Sequence, residues 1–109
     1  MWILQSAALE ADAEGAVPAL TFRLRPGAVK TIGRAAGAEF IVDAALVSRV
    51  HCRLTAADDS VEVVDLSSTN GTFVNNKRVK NATLSSGDRL RVGRVELTIE
   101  RRPIARADS

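Results

Sequence analysis

The stretch that decides the fold covers residues 61–75 and reads VEVVDLSSTNGTFVN. Residues 61–65 alternate apolar and polar side chains, which is the period of a half-buried β-strand. Residues 72–75 are a second, less regular strand candidate. The polar segment between them ends in Asn70-Gly71, a dipeptide that ordinarily forms a type I′ hairpin turn. The stretch therefore predicts two short strands joined by a polar turn.

Similar short segments lie on both sides of this stretch. Each is bounded by Gly, Pro, Asn, Asp or Ser, which are the residues that favour turns. Many short strands separated by regular turn signals are typical of an antiparallel sandwich or barrel, so we predict an all-β fold. The clearest strands outside the central stretch cover residues 20–25, 89–92 and 95–100, and the weaker candidates cover residues 1–5, 29–32, 39–42 and 52–56.

The length and composition indicate one globular domain, since the chain has 109 residues, of which 46% are hydrophobic and 26% charged. A chain of this length buries roughly two-thirds of the surface that its unfolded form exposes, which is enough for stability without a disulfide or a metal. Cys52 is the single cysteine and supplies neither an internal disulfide nor a zinc site, so we expect no metal and no cofactor. We expect Cys52 and Trp2 to pack in apolar surroundings.

The domain is expected to occupy residues 1–100. Residues 101–109 are polar after Pro103 and are predicted to be a flexible tail or the start of a linker. The alanine-rich residues 7–13 have good helix propensity, but a helix of that length is marginal, and we predict a loop there.

The charge is nearly balanced, since 15 Lys and Arg residues against 13 Asp and Glu residues leave a net charge of +2. This excess is too small to hold a nucleic acid by charge alone. The amino-terminal residues have neither the basic region of a signal peptide nor an apolar run that could span a membrane. We therefore expect a cytoplasmic protein with no nucleic-acid partner and no membrane insertion. The Ala- and Arg-rich composition favours a bacterial source, and in a eukaryote the expected location would be the nucleus.

The chain has few of the residues that catalytic mechanisms use, since it contains one His, one Cys and no Tyr. The adjacent His51 and Cys52 would point to opposite faces of a strand and could not form a nucleophile and base pair. No second His is available for a serine triad. The sequence therefore predicts a protein without catalytic residues.

Small polar residues and two arginines are concentrated in three segments at the ends of predicted strands. A guanidinium group presents a planar fork of donors to phosphate oxygens, and hydroxyl and backbone N–H groups can complete the shell. Such a set suits a doubly charged anion. The segments are Gly33-Arg34, Ser48-Arg49-Val50-His51, and Ser67 to Thr72 followed by Asn75.

These residues resemble the motifs of the forkhead-associated (FHA) domain, a family that binds phosphothreonine peptides. One such motif alone is weak, but three in the same order across residues 20–100 are highly specific. The resemblance implies a sandwich of two antiparallel sheets, with ligand-binding loops at one end and more strands than the periodicity reveals. The matching motifs are Gly33-Arg34, Ser48-Arg49-x-His51, Asp65 to Thr72, Val74-Asn75, and Gly93 before the last strand.

The resemblance also implies a role for each matching residue. Arg34 and Ser48 would bind the phosphate oxygens, and Arg49 would lie close to the peptide or the phosphate. Thr69 would add a contact to the phosphate. Asn70 would hold the peptide backbone beside the phosphothreonine. The implied partner is a protein phosphorylated by an upstream Ser/Thr kinase.

Other positions of the resemblance concern specificity and support. Leu46 and Ser68 are expected to influence ligand choice, and because Leu46 carries no charge, we expect an aliphatic ligand residue three positions after the phosphothreonine. Asn76 stands where the family usually has Gly, and Asn tolerates the positive φ that the turn needs. The expected supporting residues are Gly33, His51, Gly71 and Asn75.

Two alternative functions remain open at this point. A domain of this shape could act as a phosphorylation-independent scaffold or self-association module through a sheet face. It could also use its many arginines to bind nucleic acid, although aromatic residues, at 4% of the chain, leave little surface for base stacking.

Overall fold

The computed structural model describes residues 1–6 and 19–102, and within them it has eleven β-strands and no helix. None of these described residues therefore belongs to a helix that could cross a membrane. The loop predicted for residues 7–13 and the tail beyond residue 102 lie outside the described residues. The strands are β1 (Trp2–Gln5), β2 (Thr21–Leu24), β3 (Val29–Gly33), β4 (Phe40–Ile41), β5 (Cys52–Ala56), β6 (Val61–Asp65), β7 (Thr72–Val74), β8 (Lys77–Val79), β9 (Asn81–Leu84), β10 (Arg89–Val92) and β11 (Val95–Arg101).

The strands form two sheets, and the predicted all-β sandwich is confirmed. One sheet has six strands in the order β2-β1-β11-β10-β7-β8, and the other has five in the order β4-β3-β5-β6-β9. The expectation of fully antiparallel sheets needs one correction, because the short edge strand β4 runs parallel to β3. The first of the three polar segments, Gly33-Arg34, spans the end of β3 and the start of its connection to β4.

The core lies between the sheets and follows the predicted alternation. In β11 the side chains of Val95, Leu97 and Ile99 are buried, whereas the intervening residues are half-buried or exposed. Trp2 is buried, as expected, and its Nε1 donates a hydrogen bond to the carbonyl of Ala57 at 2.9 Å. The indole N–H thus has a partner while its rings exclude water, which is how a buried Trp avoids a desolvation cost.

All nine predicted strands are present, but β8 and β9 were missed. They read KRV and NATL, too short and too polar to show a clear period of two. A two-residue hairpin joins β7 to β8 at Asn75 and Asn76, whose φ angles are 49° and 69°. Two positive φ angles define a type I′ turn, and the tolerance expected of Asn76 is confirmed.

Asn70-Gly71 does not form the type I′ hairpin turn that is ordinary for this dipeptide. Strand β6 belongs to the five-stranded sheet and β7 to the six-stranded sheet, so residues 66–71 cross between the sheets. Gly71 has a φ of 91°, but Asn70 does not have the positive φ that a type I′ turn requires there. This crossing loop ends beside the connections that follow β3 and precede β5, and the three polar segments meet there.

Candidate functional site

An open cleft of about 740 Å³ lies where the three segments meet. All five residues predicted to bind a phosphopeptide line it, and so does Leu46. The polar atoms of this lining come from loops, whereas the strands beneath hold the loops in position, which is a common arrangement of binding sites. The lining residues are Arg34, Ala35, Leu46, Val47, Ser48, Arg49, Val50, Ser67, Thr69 and Asn70.

Arg34 follows directly on β3 and is held by its backbone. Its N–H donates to the carbonyl of Ser48 at 2.9 Å, and the N–H of Ala35 donates to the carbonyl of Arg49 at 3.2 Å. The preceding residue must be Gly33, because a Cβ atom there would collide with the carbonyl oxygen of Arg49. The absence of a side chain at Gly33 therefore lets the two arginine-bearing segments approach each other.

The two arginines in the cleft are exposed, and neither forms an ion pair with a carboxylate in residues 1–6 or 19–102. Their charge is therefore not neutralised by the described part of the chain. A guanidinium group in this situation is available to a phosphate or carboxylate, which it can bind through two parallel hydrogen bonds.

Ser48 connects two of the segments through its side chain. Its Oγ accepts a hydrogen bond from the backbone N–H of Thr69 at 2.9 Å. A hydroxyl group can accept and donate at the same time, so this bond leaves the hydroxyl proton of Ser48 free to be donated into the cleft. Thr69 itself is exposed at the rim.

His51 lies behind the cleft and is completely buried. Its Nδ1 accepts from the backbone N–H of Ser48 at 3.0 Å, and its Nε2 lies 2.9 Å from the carbonyl oxygen of Gly71. A backbone amide can only donate, so Nδ1 carries no proton, and the ring is the neutral tautomer that donates from Nε2. The imidazole thus joins the loop before β5 to the loop after β6.

Asn70 and Leu46 form a second link between the same loops. The side-chain Nδ2 of Asn70 donates to the carbonyl of Leu46 at 3.1 Å. Leu46 has a φ of 70°, an uncommon conformation for a residue with a side chain, and this side chain is 46% exposed at the cleft. This backbone conformation could not be predicted from the residue type, because Leu has no preference for positive φ.

Asp65 has a structural role that the sequence analysis missed. Its carboxylate accepts hydrogen bonds from the backbone N–H of Ser68 at 3.2 Å, from the hydroxyl of Ser68, and from the hydroxyl of Thr72 at 2.7 Å. Burial raises the pKa of this carboxyl, but the hydrogen bonds from Ser68 and Thr72 outweigh that effect and hold the pKa below its usual value. The anionic carboxylate fixes the start of the crossing loop.

The structure places Ser68, expected to influence ligand choice, outside the cleft of Arg34. It is buried, does not line the cleft of Arg34, and uses its hydroxyl to donate to Asp65 and to accept from the N–H of Gly71 at 3.0 Å. Sequence alone could not decide the direction of a serine side chain in an irregular loop. The geometry makes Ser68 a supporting residue together with Gly71, whose carbonyl holds His51.

Asn75, also predicted to support the site, is not brought to the cleft. Its side chain accepts from the N–H of Arg89 at 3.0 Å and donates to the carboxylate of Asp88 at 3.2 Å. Asn75 therefore fastens the β7–β8 turn to the start of β10. Its contribution to the cleft is limited to the position of strand β7.

Cys52 is buried next to these groups but has no nucleophilic character. Burial raises the pKa of its thiol to about 12, and the neighbouring Asp65 carboxylate acts in the same direction. The thiolate is the reactive form, so a thiol with this pKa is inert near neutral pH. The sequence argument against a catalytic pair of His51 and Cys52 therefore gains a second reason.

Comparison with known proteins identifies the family to which this domain belongs. A family model described as the FHA domain matches residues 30–93, which include all three polar segments. The chain belongs to the FHA domain family. All residues that line the cleft lie within the part of the chain that this model matches.

Two relatives of this FHA domain occur in proteins of different size. The ABC transporter ATP-binding/permease protein Rv1747 of Mycobacterium tuberculosis is 39% identical over 82% of this chain, which is 10% of that protein. The oxoglutarate dehydrogenase inhibitor of Corynebacterium diphtheriae is 39% identical over 69% of this chain, which is 52% of that protein. The chain thus spans about half of one relative and a tenth of the other.

A solved structure supports the assignment over nearly the whole chain. It comes from a structural and functional analysis of phosphothreonine-dependent FHA domain interactions, and is 34% identical to this chain with a TM-score of 0.77. The alignment covers 94% of this chain and 98% of that structure. The similarity therefore includes both sheets and the loops between them.

Proposed function

We propose that this FHA domain binds partner proteins that carry a phosphothreonine, and that it has no catalytic activity. The observation that carries the proposal is the meeting of Arg34, Arg49 and the hydroxyl of Ser48 in one cleft. A phosphothreonine brings about 1.5 to 2 negative charges and three acceptor oxygens, and this set of donors matches both. The solved relative whose interactions depend on phosphothreonine supports the same ligand.

Each cleft residue then has a distinct task. The guanidinium of Arg34 neutralises the phosphate, and the Ser48 hydroxyl donates its free proton to a phosphate oxygen. Arg49 adds positive charge beside the same group. Thr69 contributes its hydroxyl at the rim, and Asn70 uses the atoms not bonded to Leu46 to hold the peptide backbone.

The apolar part of the cleft supports a preference in the ligand beyond the phosphate. Leu46 and Val50 are 46% and 49% exposed, and both line the cleft. An aliphatic ligand side chain would cover this surface, whereas an acidic one would find no positive charge at Leu46. We assign the third ligand position after the phosphothreonine to this surface.

Threonine is expected to bind more tightly than serine because its additional methyl group can be buried. Burying one methyl group contributes about 0.8 kcal/mol, which corresponds to about a fourfold difference in affinity. Titrating otherwise identical phosphothreonine and phosphoserine peptides would measure it. Equal affinities would show that the methyl group stays in water.

The cellular setting follows from the ligand. A phosphothreonine partner requires an upstream Ser/Thr kinase, and the relatives from Mycobacterium and Corynebacterium favour a bacterial cytoplasm. No nucleic acid, cofactor or membrane insertion is part of the proposal.

The test is fluorescence anisotropy with an oriented phosphothreonine peptide library and unphosphorylated copies of the peptides that bind. Removing a charged hydrogen-bond donor costs about 1.5–3 kcal/mol, so Arg34→Ala should weaken binding about ten- to a hundredfold while the domain stays folded. Arg23→Ala is the matched control, because Arg23 is exposed on β2 at the far edge of the six-stranded sheet.

Two results would contradict the proposal. One is unchanged affinity in a folded Arg34→Ala variant. The other is the absence of binding to any phosphopeptide by the folded wild-type domain, which would favour a phosphorylation-independent scaffold instead.

A further inference from the structure

A second cleft, of about 700 Å³, lies on the other side of the crossing loop. Ser67 lines both this second cleft and the cleft of Arg34, so the two adjoin each other. None of the residues assigned to the phosphothreonine lines it. Its lining consists of Asp65, Ser67, Ser68, Arg78, Val79 and Lys80.

The two basic residues of the second cleft are held beside the crossing loop by different means. The side chain of Arg78 lies against Gly71, where a Cβ atom would come within 2.6 Å of its Nε. Lys80 follows β8, and its backbone carbonyl accepts a hydrogen bond from the N–H of Asp65 at 2.8 Å. Arg78 therefore lies against the loop that carries Thr69 and Asn70, and Lys80 is bonded to the last residue of β6, directly before that loop.

The charge of the second cleft is available to a ligand. Arg78 and Lys80 are exposed, and within the described ranges neither is within ion-pair distance of a carboxylate. The one acidic residue in the lining is Asp65, whose carboxylate already accepts hydrogen bonds from Ser68 and Thr72. The second cleft therefore contains two positively charged side chains and one carboxylate, which is already hydrogen-bonded within the chain.

Ser67 adds a hydroxyl group at the boundary of the two clefts. It has a φ of 58°, is exposed, and forms no side-chain hydrogen bond with the described residues. A hydroxyl group at this boundary can donate to an anion on either side.

We propose that the second cleft binds another anionic side chain, phosphorylated or carboxylic, of the same peptide. This inference rests on the proposed function, because the phosphothreonine in the first cleft would bring the peptide to the shared boundary. An extended chain advances about 3.3 Å per residue, so a side chain only a few positions from the phosphothreonine can reach an adjoining cleft. The bound peptide would then be one that carries two negative groups at a fixed spacing.

The reference ligand is a soluble peptide that carries one phosphothreonine and whose other residues are uncharged. A second phosphothreonine, a Glu or a Gln is placed in turn at each position from four before to four after the first. Affinity is measured by fluorescence anisotropy for the wild-type domain and for Arg78→Gln/Lys80→Gln, which keeps long polar side chains but removes both charges. Arg23→Gln and Arg89→Gln together form the control for an equal loss of positive charge elsewhere.

We expect one narrow range of positions at which a second phosphothreonine tightens binding roughly fivefold or more, with a smaller gain for Glu and none for Gln. Arg78→Gln/Lys80→Gln should abolish the gain and leave the affinity for the reference peptide within about twofold. The control pair should retain the gain. Thermal unfolding of each variant establishes that it is folded.

The contrary outcomes separate the two proposals. If the reference peptide binds but no position gives a gain, or if the gain survives Arg78→Gln/Lys80→Gln or is lost equally in the control pair, the second anion site is wrong and the proposed function stands. If the reference peptide does not bind to the folded domain, the proposed function fails, and the second site fails with it.

Discussion

The two sides of the crossing loop, residues 66–71, use polar groups in opposite ways. On the inner side, the polar side chains of Asp65, Ser68 and His51 bond to partners within the chain. On the outer side, Arg34 and Arg49 project into an open cleft and form no ion pair with a described carboxylate. Internal hydrogen bonds therefore fix the loop, whereas the donors at its surface remain available to a ligand.

The largest effect should come from removing the imidazole that joins the two binding loops. His51→Ala leaves the N–H of Ser48 and the carbonyl of Gly71 without partners and creates a cavity, so we expect the free energy of unfolding to fall by about 3 kcal/mol or more. Urea unfolding followed by tryptophan fluorescence measures this loss. His51→Gln can still accept and donate, and should recover part of it. A loss below about 1 kcal/mol in His51→Ala would refute the bracing role.

The next effect concerns the inner carboxylate. Asp65→Asn exchanges an acceptor of three hydrogen bonds for a group with one acceptor and unwanted donors, so it should cost about 1.5–3 kcal/mol of unfolding free energy. Asp58→Asn is the control, because Asp58 is exposed in a turn. Urea unfolding at neutral pH would compare the two variants, and equal stabilities would contradict the role given to Asp65.

The same substitution also changes the acid response. The pKa of Asp65 is lower in the folded state than its usual value, so its stabilising contribution is complete above the usual carboxyl range and is lost as the pH falls below about 4. Asp65→Asn should therefore lose less stability than the wild type between about pH 4 and pH 2. If the free energy of unfolding fell equally with pH in Asp65→Asn and in the wild type, Asp65 would not be the cause of this loss.

The smallest effect belongs to the apolar edge of the outer cleft. Leu46→Lys retains the positive φ of residue 46 while adding a charge, and should shift the third ligand position after the phosphothreonine towards Asp. An exposed ion pair contributes about 0.2–1 kcal/mol, so the peptide with Asp should gain at most about fivefold over the peptide with Leu. Anisotropy titrations of both peptides with both proteins would test this. If Leu46→Lys did not change the preference between Asp and Leu, the third ligand residue would not contact residue 46.

Much of the fold could be predicted because its strands carry a clear period of two. Strands such as β6 and β11 alternate buried and exposed residues along most of their length, whereas β8 and β9 are too short and polar to do so. The sheet that each strand joins could not be read from periodicity, which describes only local burial. The ordinary hairpin preference of Asn70-Gly71 therefore does not reveal that the chain crosses between the sheets there.

The candidate site shows a similar division. Arg34, Ser48 and Thr69 could be grouped because their motifs occur in a recognisable order, and they line one cleft. The direction of Ser68 and the acceptor role of Asp65 depend on how an irregular loop folds back on itself, which no local pattern specifies. The same holds for Arg78, which approaches Gly71 only because β8 follows a tight turn.

The neutral imidazole of His51 has a kinetic consequence. Since its two hydrogen bonds join the loops within the chain itself, a peptide does not have to order those loops as it binds, and little conformational entropy is lost on association. We therefore expect diffusional encounter to limit the rate of association, and we expect Arg34 and Arg49 to accelerate that encounter for the proposed phosphorylated ligand. The lifetime of each complex would then determine which ligands are retained.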